Sequence, residues 1–387
     1  MSCHMDVSDV LAQGSGGSPT YRDEAAPSPP FRVDRVTTTS TASAVSPDSG
    51  LPWAEPGAWP VAEGIHRIPL PLPDDGLQAV NVYALETDEG LTLVDGGWAI
   101  AEARTLLGSA LRDIGHGFDD ITRILVTHVH RDHYTLAAVI AREFGARVSL
   151  GSGERATLDH LHRPVRADED PTLAVLRSSG AVEVAARWHA TFGERRPDLS
   201  QWGYPDTWLE GDHPLEVGAR TLEAVHTPGH TQGHYVFADR AAGLLFAGDH
   251  VLPTITPSIG FEAVPVRQPL RDFMASLTKV RGLPDLALLP AHGPLAASSH
   301  ARVDELLAHH EHRLALCREV LAAGPGTAYD VAGELPWTRR ERRLADLDVF
   351  NTALASLETK AHLELLVARG QVTREETPGG VRFTALA

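Results

Sequence analysis

Short apolar runs separated by polar turns dominate the chain from Ile65 onward. Runs of β-branched and apolar residues predict strands, whereas apolar residues spaced three and four apart predict one face of a helix. In the first half, this pattern predicts strands at 65–70, 79–87, 91–94, 121–127 and 147–150, with helices at 99–114 and 134–144. The alternation of strands with helices favours an α/β fold.

The second half begins with a mostly helical pattern, and predicted strands follow it. Residues 152–208 read as a mostly helical insertion with five aromatic residues, namely Trp188, Phe192, Trp202, Tyr204 and Trp208. Beyond it, strands are predicted at 221–225, 234–238, 244–247 and 286–289, with helices at 270–280 and 301–322. We therefore expect one α/β domain over residues 56–300.

The C-terminal segment, residues 301–387, has a compact helical pattern. Helices are predicted at 327–335, where Thr327 is a plausible N-cap, and at 352–369. Strands at 372–375 and 381–384 flank the turn Thr377-Pro378-Gly379-Gly380. The order helix, helix, hairpin is that of a winged-helix module, so a small winged-helix-like domain is predicted here.

Length and composition indicate the number of folded units and the character of the N-terminal segment. A length of 387 residues suits about two folded units plus a tail. Residues from about 13 to 49 are rich in Ser, Thr, Pro, Gly and Ala without an apolar period, and such segments bury too little surface to become ordered. We therefore predict a disordered N-terminal tail over residues 1–55.

The formal charge of −17 argues against nucleic acid as the main partner, because binding a phosphate backbone requires clustered Lys and Arg. The C-terminal segment from His309 onward is not basic either, with ten Lys plus Arg against eleven Asp plus Glu. No apolar run approaches the length of a membrane span, and the first residues do not resemble a secretory signal. A cytoplasmic enzyme without a membrane partner is the expectation.

Four predicted strands run into clusters of His and Asp. The strand at 121–127 is followed by His128-Val129-His130-Arg131-Asp132-His133, and the later strand ends carry His230, Asp249 and His292. With only two cysteines in the chain, Cys3 and Cys317, a thiolate metal site is excluded, so imidazole and carboxylate must be the ligands.

The spacing within the first cluster indicates metal binding. His128 and His130 are two residues apart on an extended or loop backbone, so their side chains leave on the same side and can share one metal. Asp132 and His133 follow at the turn. Together with the distant His and Asp residues, these ligands are too many for one tetrahedral site, and two adjacent metals relieve the crowding.

These motifs resemble the metallo-β-lactamase superfamily. Residues 127–133 resemble its HxHxDH signature, and Thr-Pro-Gly-His-Thr-Gln-Gly-His at 227–234, Gly248-Asp249 and Ala291-His292-Gly293 resemble its later motifs in the same order. The similarity covers about residues 65–294 plus a tail like that of the lactamase-like protein 2 and glyoxalase II-like branch. The resemblance implies an αββα sandwich with metals at one edge.

The resemblance also implies a role for each ligand. His128, His130 and His230 would hold the first metal, Asp132, His133 and His292 the second, and Asp249 would bridge both. Two zinc ions are expected, with iron or manganese as alternatives. Two such metals lower the pKa of a shared water toward neutrality, so a bridging hydroxide is the expected nucleophile and Asp132 the expected catalytic carboxylate.

Other residues near these motifs are given supporting roles. Asp95 resembles the aspartate that supports the metal loop, and His226 and His234 are expected to support His230 or the local structure. Substrate contact and packing are equally expected of Arg131 and Tyr134, and His250 is left without a role. The run His309, His310 and His312 is interpreted as the solvated face of a polar helix.

The reaction is narrowed but not fixed by these residues. Hydrolysis of a small-molecule ester, a thioester or a lactone, is the first choice. The insertion is expected to act as a lid that binds an anionic acyl carrier such as glutathione or coenzyme A. The arginines expected to bind the carrier are Arg163, Arg166, Arg187, Arg195 and Arg196. A phosphodiesterase or ribonuclease, a mononuclear iron dioxygenase and a winged-helix DNA binder with a vestigial domain are the alternatives. A homodimer is the assembly to be tested.

Overall fold

The computed structural model describes residues 53–73, 76–163, 170–338 and 341–386. The predicted tail therefore lies outside the described residues except for 53–55, and Arg166 of the insertion lies outside them as well. No helix in the described ranges is long and apolar enough to cross a membrane.

The first sheet contains seven strands in sequential order. They are β1 (Trp59–Ala62), β2 (Ile65–Pro71), β3 (Ala79–Thr87), β4 (Gly90–Val94), β5 (Ile121–Leu125), β6 (Arg147–Gly151) and β7 (Thr207–Leu209). Strands β1 to β4 pair in antiparallel fashion, whereas β4 to β7 are parallel. Parallel pairing brings the carboxyl ends of β4 and β5 to the same edge of the sheet.

The second sheet contains five strands in the order β12-β11-β10-β9-β8. They are β8 (His213–Val217), β9 (Arg220–His226), β10 (Tyr235–Asp239), β11 (Leu244–Gly248) and β12 (Ala287–Pro290). Strands β11 and β12 are parallel, so their carboxyl ends also meet at one edge.

Nine α-helices lie in the part of the chain that the structure describes. They are α1 (Ala101–Asp113), α2 (Arg131–Phe144), α3 (Arg155–His162), α4 (Pro171–Ser178), α5 (Val182–Phe192), α6 (Pro269–Arg281), α7 (Ser299–Ala322), α8 (Ala328–Glu334) and α9 (Val349–Ala368). Helices α1 and α2 begin and end close to their predicted positions, and Gly145 ends α2 in the left-handed conformation that favours glycine.

Three layers of apolar contact hold these elements together. The two sheets face each other through residues such as Tyr83 and Phe246, whose rings are 5.3 Å apart. The outer face of the first sheet packs on α1 and α2, and the outer face of the second packs on α6 and α7. This arrangement confirms the predicted αββα sandwich.

The C-terminal segment shares its core with the second sheet. Residues of α7, α8 and α9 pack in one cluster with residues of β10, β11 and α6. Helix α8 is N-capped by Thr327 and Asp330, which bond reciprocally, and the hairpin of β14 (Val372–Thr377) and β15 (Gly380–Ala385) forms a three-stranded sheet with β13 (Gly326–Thr327). The predicted order helix, helix, hairpin is present; the winged-helix interpretation and the boundary at residue 300 stay predictions.

Two sequence expectations differ from the structure. Strands β1, β7, β8 and β13 were not predicted because they are short and partly polar, as with His213 and Glu216 in the five residues of β8. His310 is fully buried, so the interpretation of His309, His310 and His312 as a solvated face is wrong for His310. Helix α7 is covered by neighbouring elements, and His310 lies on its buried stripe with Val303, Leu306, Leu314, Cys317 and Leu321.

Candidate metal centre

All seven predicted ligands lie together at one edge of the two sheets. His128 and His130 occupy the loop after β5, and Asp132 and His133 occupy the first turn of α2. The other three residues follow strand ends of the second sheet: His230 after β9, Asp249 after β11 and His292 after β12. Except for His130, which is partly exposed, all are buried.

The first ligand set contains three imidazoles. His128 Nε2 lies 2.9 Å from His130 Nδ1, and His230 Nε2 lies 3.1 Å from the same atom. Asp249 Oδ2 completes the set, at 3.7 Å from His128 Nε2 and 3.4 Å from His230 Nε2. Four donor atoms thus surround one point.

The second ligand set contains two imidazoles and two carboxylates. Asp132 Oδ2 lies 3.6 Å from His133 Nε2 and 3.4 Å from His292 Nε2. Asp249 Oδ1 lies 3.5 Å from His133 Nε2 and 3.3 Å from His292 Nε2. The two oxygens of Asp249 therefore face different sets, as a bridging carboxylate requires.

The spacing of these donor atoms suits zinc-like metals. Ligands at about 2.0–2.1 Å from a tetrahedral metal are about 3.4 Å from one another, and the contacts of both sets scatter around that value. His133 Nε2 is buried and makes no hydrogen bond among the described residues, although two carboxylate oxygens lie nearby. A buried polar atom in this position fits a metal ligand.

Asp95 supports the predicted ligand His133 and the start of the ligand loop at Thr127. Its Oδ2 lies 2.8 Å from His133 Nδ1, and its Oδ1 accepts a hydrogen bond from the Thr127 backbone N–H at 2.8 Å. A carboxylate on Nδ1 keeps the proton there and leaves Nε2 with a lone pair for a metal. The structure thus places Asp95 where the expected supporting role needs it.

Backbone carbonyls orient two other imidazoles in the same way. His230 Nδ1 donates to the Ser258 carbonyl at 2.8 Å, and His292 Nδ1 donates to the Ala79 carbonyl at 2.7 Å. Because a carbonyl can only accept, the Nε2 atoms of both rings carry the lone pair. Both Nε2 atoms face the donor sets.

The remaining histidines near the motifs differ in position. His234 is buried, and its Nε2 accepts the Asp249 backbone N–H at 3.1 Å, so it helps to orient Asp249. His226 donates from Nε2 to the Gln232 carbonyl and packs on Tyr235, without contacting a ligand directly. His250 is buried beside Phe273.

The electrostatic environment keeps histidines of the first set in the neutral form that can bind a cation. Burial, and then the neighbouring imidazoles, hold the pKa values of His128 and His130 well below the usual histidine range, so both rings are neutral. Burial lowers the pKa of His133, but the carboxylates of Asp95, Asp249 and Asp132 outweigh burial and raise that pKa to about 10. These carboxylates thus favour positive charge at the second set, which a bound metal ion would supply in place of the proton on His133 Nε2.

Two glycines allow the ligand loops to approach this closely. Gly229 precedes His230 with φ +137°, and a Cβ atom there would lie 2.4 Å from the Phe273 backbone. Gly248 precedes Asp249 with φ +50°, and a Cβ atom there would lie 2.8 Å from His234 Nε2. Both positions combine a left-handed backbone with a close contact, so only glycine fits without strain.

A cleft of about 590 Å³ opens beside His130. Of the five aromatic residues singled out in the insertion, Trp188, Phe192 and Trp202 line it, and so do Arg163, Arg195 and Arg196 among the arginines. Tyr204, Trp208 and Arg187 are not among its lining residues.

Arg131 and Tyr134 have different environments. The Arg131 guanidinium lines the cleft and stacks 4.1 Å from the centre of the Trp98 ring, so it lies where substrate contact is available. Tyr134 is fully buried and donates its hydroxyl to the Gly203 carbonyl, which favours the packing role.

Several residues of this region were missed in the sequence. Trp98, Phe261 and Glu262 line the cleft, and an oxygen of Glu262 accepts a hydrogen bond from the Gln232 backbone N–H at 3.0 Å. Glu154 is buried and accepts the hydroxyl of Thr231, the residue after His230. The signal for Trp98 is its position just after the strand end at Asp95-Gly96-Gly97; the two glutamates have no comparable local pattern.

Curated relatives share the sequence over much of its length. The chain is 26% identical over 318 residues to the probable metallo-hydrolase YqjP of Bacillus subtilis, a match that spans 79% of this chain and 92% of that protein. It is 28% identical over 249 residues to the beta-lactamase-like protein 2 homolog of Caenorhabditis elegans, spanning 63% and 65%. It is 26% identical over 238 residues to an atrochrysone carboxyl ACP thioesterase of Aspergillus fumigatus, spanning 60% and 42%. The chain thus spans less than two thirds of the last two relatives.

A solved structure supports the same relationship. A metallo-beta-lactamase family protein of Thermus thermophilus superposes with a TM-score of 0.70 at 30% identity, covering 84% of this chain and all of that one. The profile of the Metallo-beta-lactamase superfamily matches residues 75–292. The family predicted from the four motifs is confirmed, and the lactamase-like protein 2 branch stays a prediction. The chain belongs to the metallo-beta-lactamase superfamily.

Proposed function

We propose that the chain hydrolyses a small-molecule ester, a thioester before a lactone, at a centre of two zinc ions bridged by Asp249. The chain is a metal-dependent hydrolase of its superfamily, and its His and Asp clusters are the metal-binding groups. The observation that carries the two-metal proposal is the division of Asp249: one oxygen faces the three imidazoles of the first set, and the other faces the second set.

The residues named would hold the metals, and the metals would supply the activation. When bound, two divalent ions would lower the pKa of a shared water toward neutrality and polarise the substrate carbonyl. Asp132 is the protein group placed to handle the proton, because its carboxylate lies in the second set beside His292. It would orient the attacking water and then carry a proton toward the leaving group.

The cleft supports an acyl substrate with an anionic carrier. Its wall contains Trp98, Phe192 and Trp202, which suit an apolar acyl group, and its rim contains Arg195 and Arg196. Arginine is suited to phosphate and carboxylate groups because its guanidinium donates in a fixed fork. A carrier such as coenzyme A or glutathione would place its anionic groups at that rim and its acyl group toward His130.

A thioester is favoured over a lactone by two considerations. One relative that matches over 60% of this chain bears the name thioesterase. A thiol leaving group has a pKa of about 8.5, so it departs with less help from a general acid than an alcohol needs. We assign such help to Asp132, whose carboxylate lies beside His133 and His292.

The test is a substrate panel on the zinc-loaded full chain. Acyl-coenzyme A and acyl-glutathione thioesters, lactones, a β-lactam and bis-p-nitrophenyl phosphate would be compared by kcat/KM at equal enzyme concentration. The highest kcat/KM for a thioester, lost in Asp249→Asn together with the metals, is the expected result. Faster cleavage of the phosphodiester, or one iron per chain with oxygen consumption, would contradict the proposal.

The role of Asp132 needs a variant that still holds metal. Asp132→Asn keeps the shape and one oxygen ligand but cannot carry a proton, so kcat should fall about 100-fold, the usual scale of general acid–base catalysis. Metal content is measured on the same sample. Full turnover with both metals bound would remove Asp132 from the proton step.

A further inference from the structure

A second group of metal-ligating side chains lies away from the candidate metal centre, between α7 and α9. His309 and His310 of α7 and Glu358 of α9 each present one possible ligand atom, and these atoms lie within 4.8 Å of one another. His310 has no exposed surface and Glu358 is 3% exposed. The group therefore joins two helices of the C-terminal segment, with two members buried and His309 exposed at the surface.

The hydrogen bonds of His362 fix which nitrogen of His310 is available. His362 Nδ1 lies 2.8 Å from the Glu358 carbonyl oxygen, which can only accept, so this nitrogen carries the proton. The neutral ring then has a lone pair on Nε2, which accepts from His310 Nδ1 at 3.2 Å. As a result, the Nε2 atom of His310 carries a lone pair that neither of these two hydrogen bonds uses.

Two buried atoms in the group have no hydrogen-bond partner among the described residues: His310 Nε2 and Glu358 Oε2. Leaving a buried acceptor unsatisfied costs about 1–3 kcal/mol, and more when the group is charged. A divalent cation would satisfy both atoms at once.

The charges around the group are compatible with a cation. Burial, and then His362, hold the pKa of His310 well below its usual range, and burial lowers the pKa of His309 to about 4, so both imidazoles are neutral. Burial raises the pKa of the Glu358 carboxyl, and a cation bound there would favour its ionised form. Arg313, whose charge acts on Glu358, donates to the Pro336 carbonyl and stacks 4.3 Å from the Trp337 ring centre.

We propose that His309, His310 and Glu358 form a further binding site for a divalent metal ion of the zinc class, which fastens α7 to α9. The ligands are two imidazoles and a carboxylate, a set that zinc accepts, and His362 orients His310 through its hydrogen bond. Phe273 of α6 packs 5.5 Å from the His310 ring, so the site also adjoins the helix that covers the second sheet. Its expected role is structural.

Metal counting on the full chain tests the proposal. The wild type, His309→Ala, Glu358→Gln and the control His312→Ala would each be stripped with chelator, reloaded with excess Zn²⁺, desalted and analysed for zinc per chain. His312 lies on the same helix, is exposed and is not in the group. His309→Ala and Glu358→Gln should each hold one zinc fewer than the wild type and His312→Ala, whatever number the candidate metal centre holds.

Two further measurements make the result decisive. The rise in Tm on adding Zn²⁺ should be smaller in His309→Ala and Glu358→Gln than in His312→Ala, with circular dichroism to confirm that each variant folds. In crystals of the zinc-loaded wild type, an anomalous difference peak should lie beside His310 Nε2, at a zinc–nitrogen distance of about 2.0–2.1 Å. Equal zinc content in all four proteins, or no peak at His310 with an ordered water there, would overturn the proposal even if a variant failed to fold.

Discussion

Asp95 holds an uncommon backbone conformation beside the metal ligands. Its φ is +61°, a left-handed value that costs a non-glycine residue about 1–3 kcal/mol. The residue is buried, and the same conformation lets its carboxylate reach both Thr127 and His133. We infer that the strain is retained because it places this carboxylate under the centre.

Asp95→Asn tests this support at the level of one atom. The amide can donate to His133 Nδ1, which would move the imidazole proton to Nε2 and block that ligand. Metal affinity, measured by competition with a chromogenic chelator, should fall about 10- to 100-fold. Asp304→Asn, in a surface ion pair with Arg281, is the control; equal affinity in both variants and the wild type would contradict the role.

Glu154 gives a prediction on pH. Burial raises its pKa to about 7 in the folded chain, above the value of about 4.3 for an unfolded chain. The folded state then holds the proton more tightly, so this carboxyl's contribution to stability is complete below about pH 4.3 and is lost as pH rises through about 7.

Glu154→Gln removes that titration and keeps an oxygen to accept the Thr231 hydroxyl. The difference in Tm, variant minus wild type, should therefore increase between about pH 5 and about pH 8. Most of this increase should occur below about pH 7, the pKa of Glu154 in the folded chain. Thermal unfolding across this range measures the difference, and the exposed Glu319→Gln is the control. A difference that stays constant with pH would show that Glu154 does not titrate as described.

At the scale of elements, the ligand loops depend on close packing against α6. Gly229→Ala should lower the free energy of unfolding by more than about 1 kcal/mol and displace His230, because the new Cβ atom meets the Phe273 backbone in addition to the backbone strain. Gly243→Ala separates the two causes, since Gly243 has φ +72° but no atom within 4 Å of its Cβ position. Equal losses of stability and of zinc in both variants would exclude the contact as the cause.

The insertion is also an element with a testable role. Deleting it would disturb the core, because Trp188 is buried against Phe350 of α9 and Phe261. Substitution of the rim arginines is the cleaner experiment. The double variant Arg195→Ala with Arg196→Ala should raise KM for a coenzyme A thioester about tenfold, a loss of about 1.4 kcal/mol.

The control for that variant is Arg187→Ala, which is exposed on α5 and does not line the cleft. It should leave KM unchanged, and both variants should treat an uncharged thioester like the wild type. An equal rise in KM for charged and uncharged thioesters would contradict recognition of an anionic carrier.

At the scale of the whole molecule, most elements and the ligand set could be predicted because the signals are local. Strands such as β11 are continuous apolar runs, and each ligand lies in the loop or the first helical turn after a strand, so the pairing of the strands brings distant ligands together. Contacts that depend on packing between distant segments could not be predicted. His310 looked solvated in a polar run, and its burial follows only once α9 is placed beside α7.

The central claim is that two metals lie on either side of Asp249. The most direct measurement is an anomalous difference map at the zinc edge from crystals of the zinc-loaded full chain. At the candidate metal centre the account predicts two peaks about 3.5–4 Å apart, one beside His128, His130 and His230 and one beside Asp132, His133 and His292, with Asp249 between them. A single peak at this centre, or two peaks there that do not share Asp249, would contradict it.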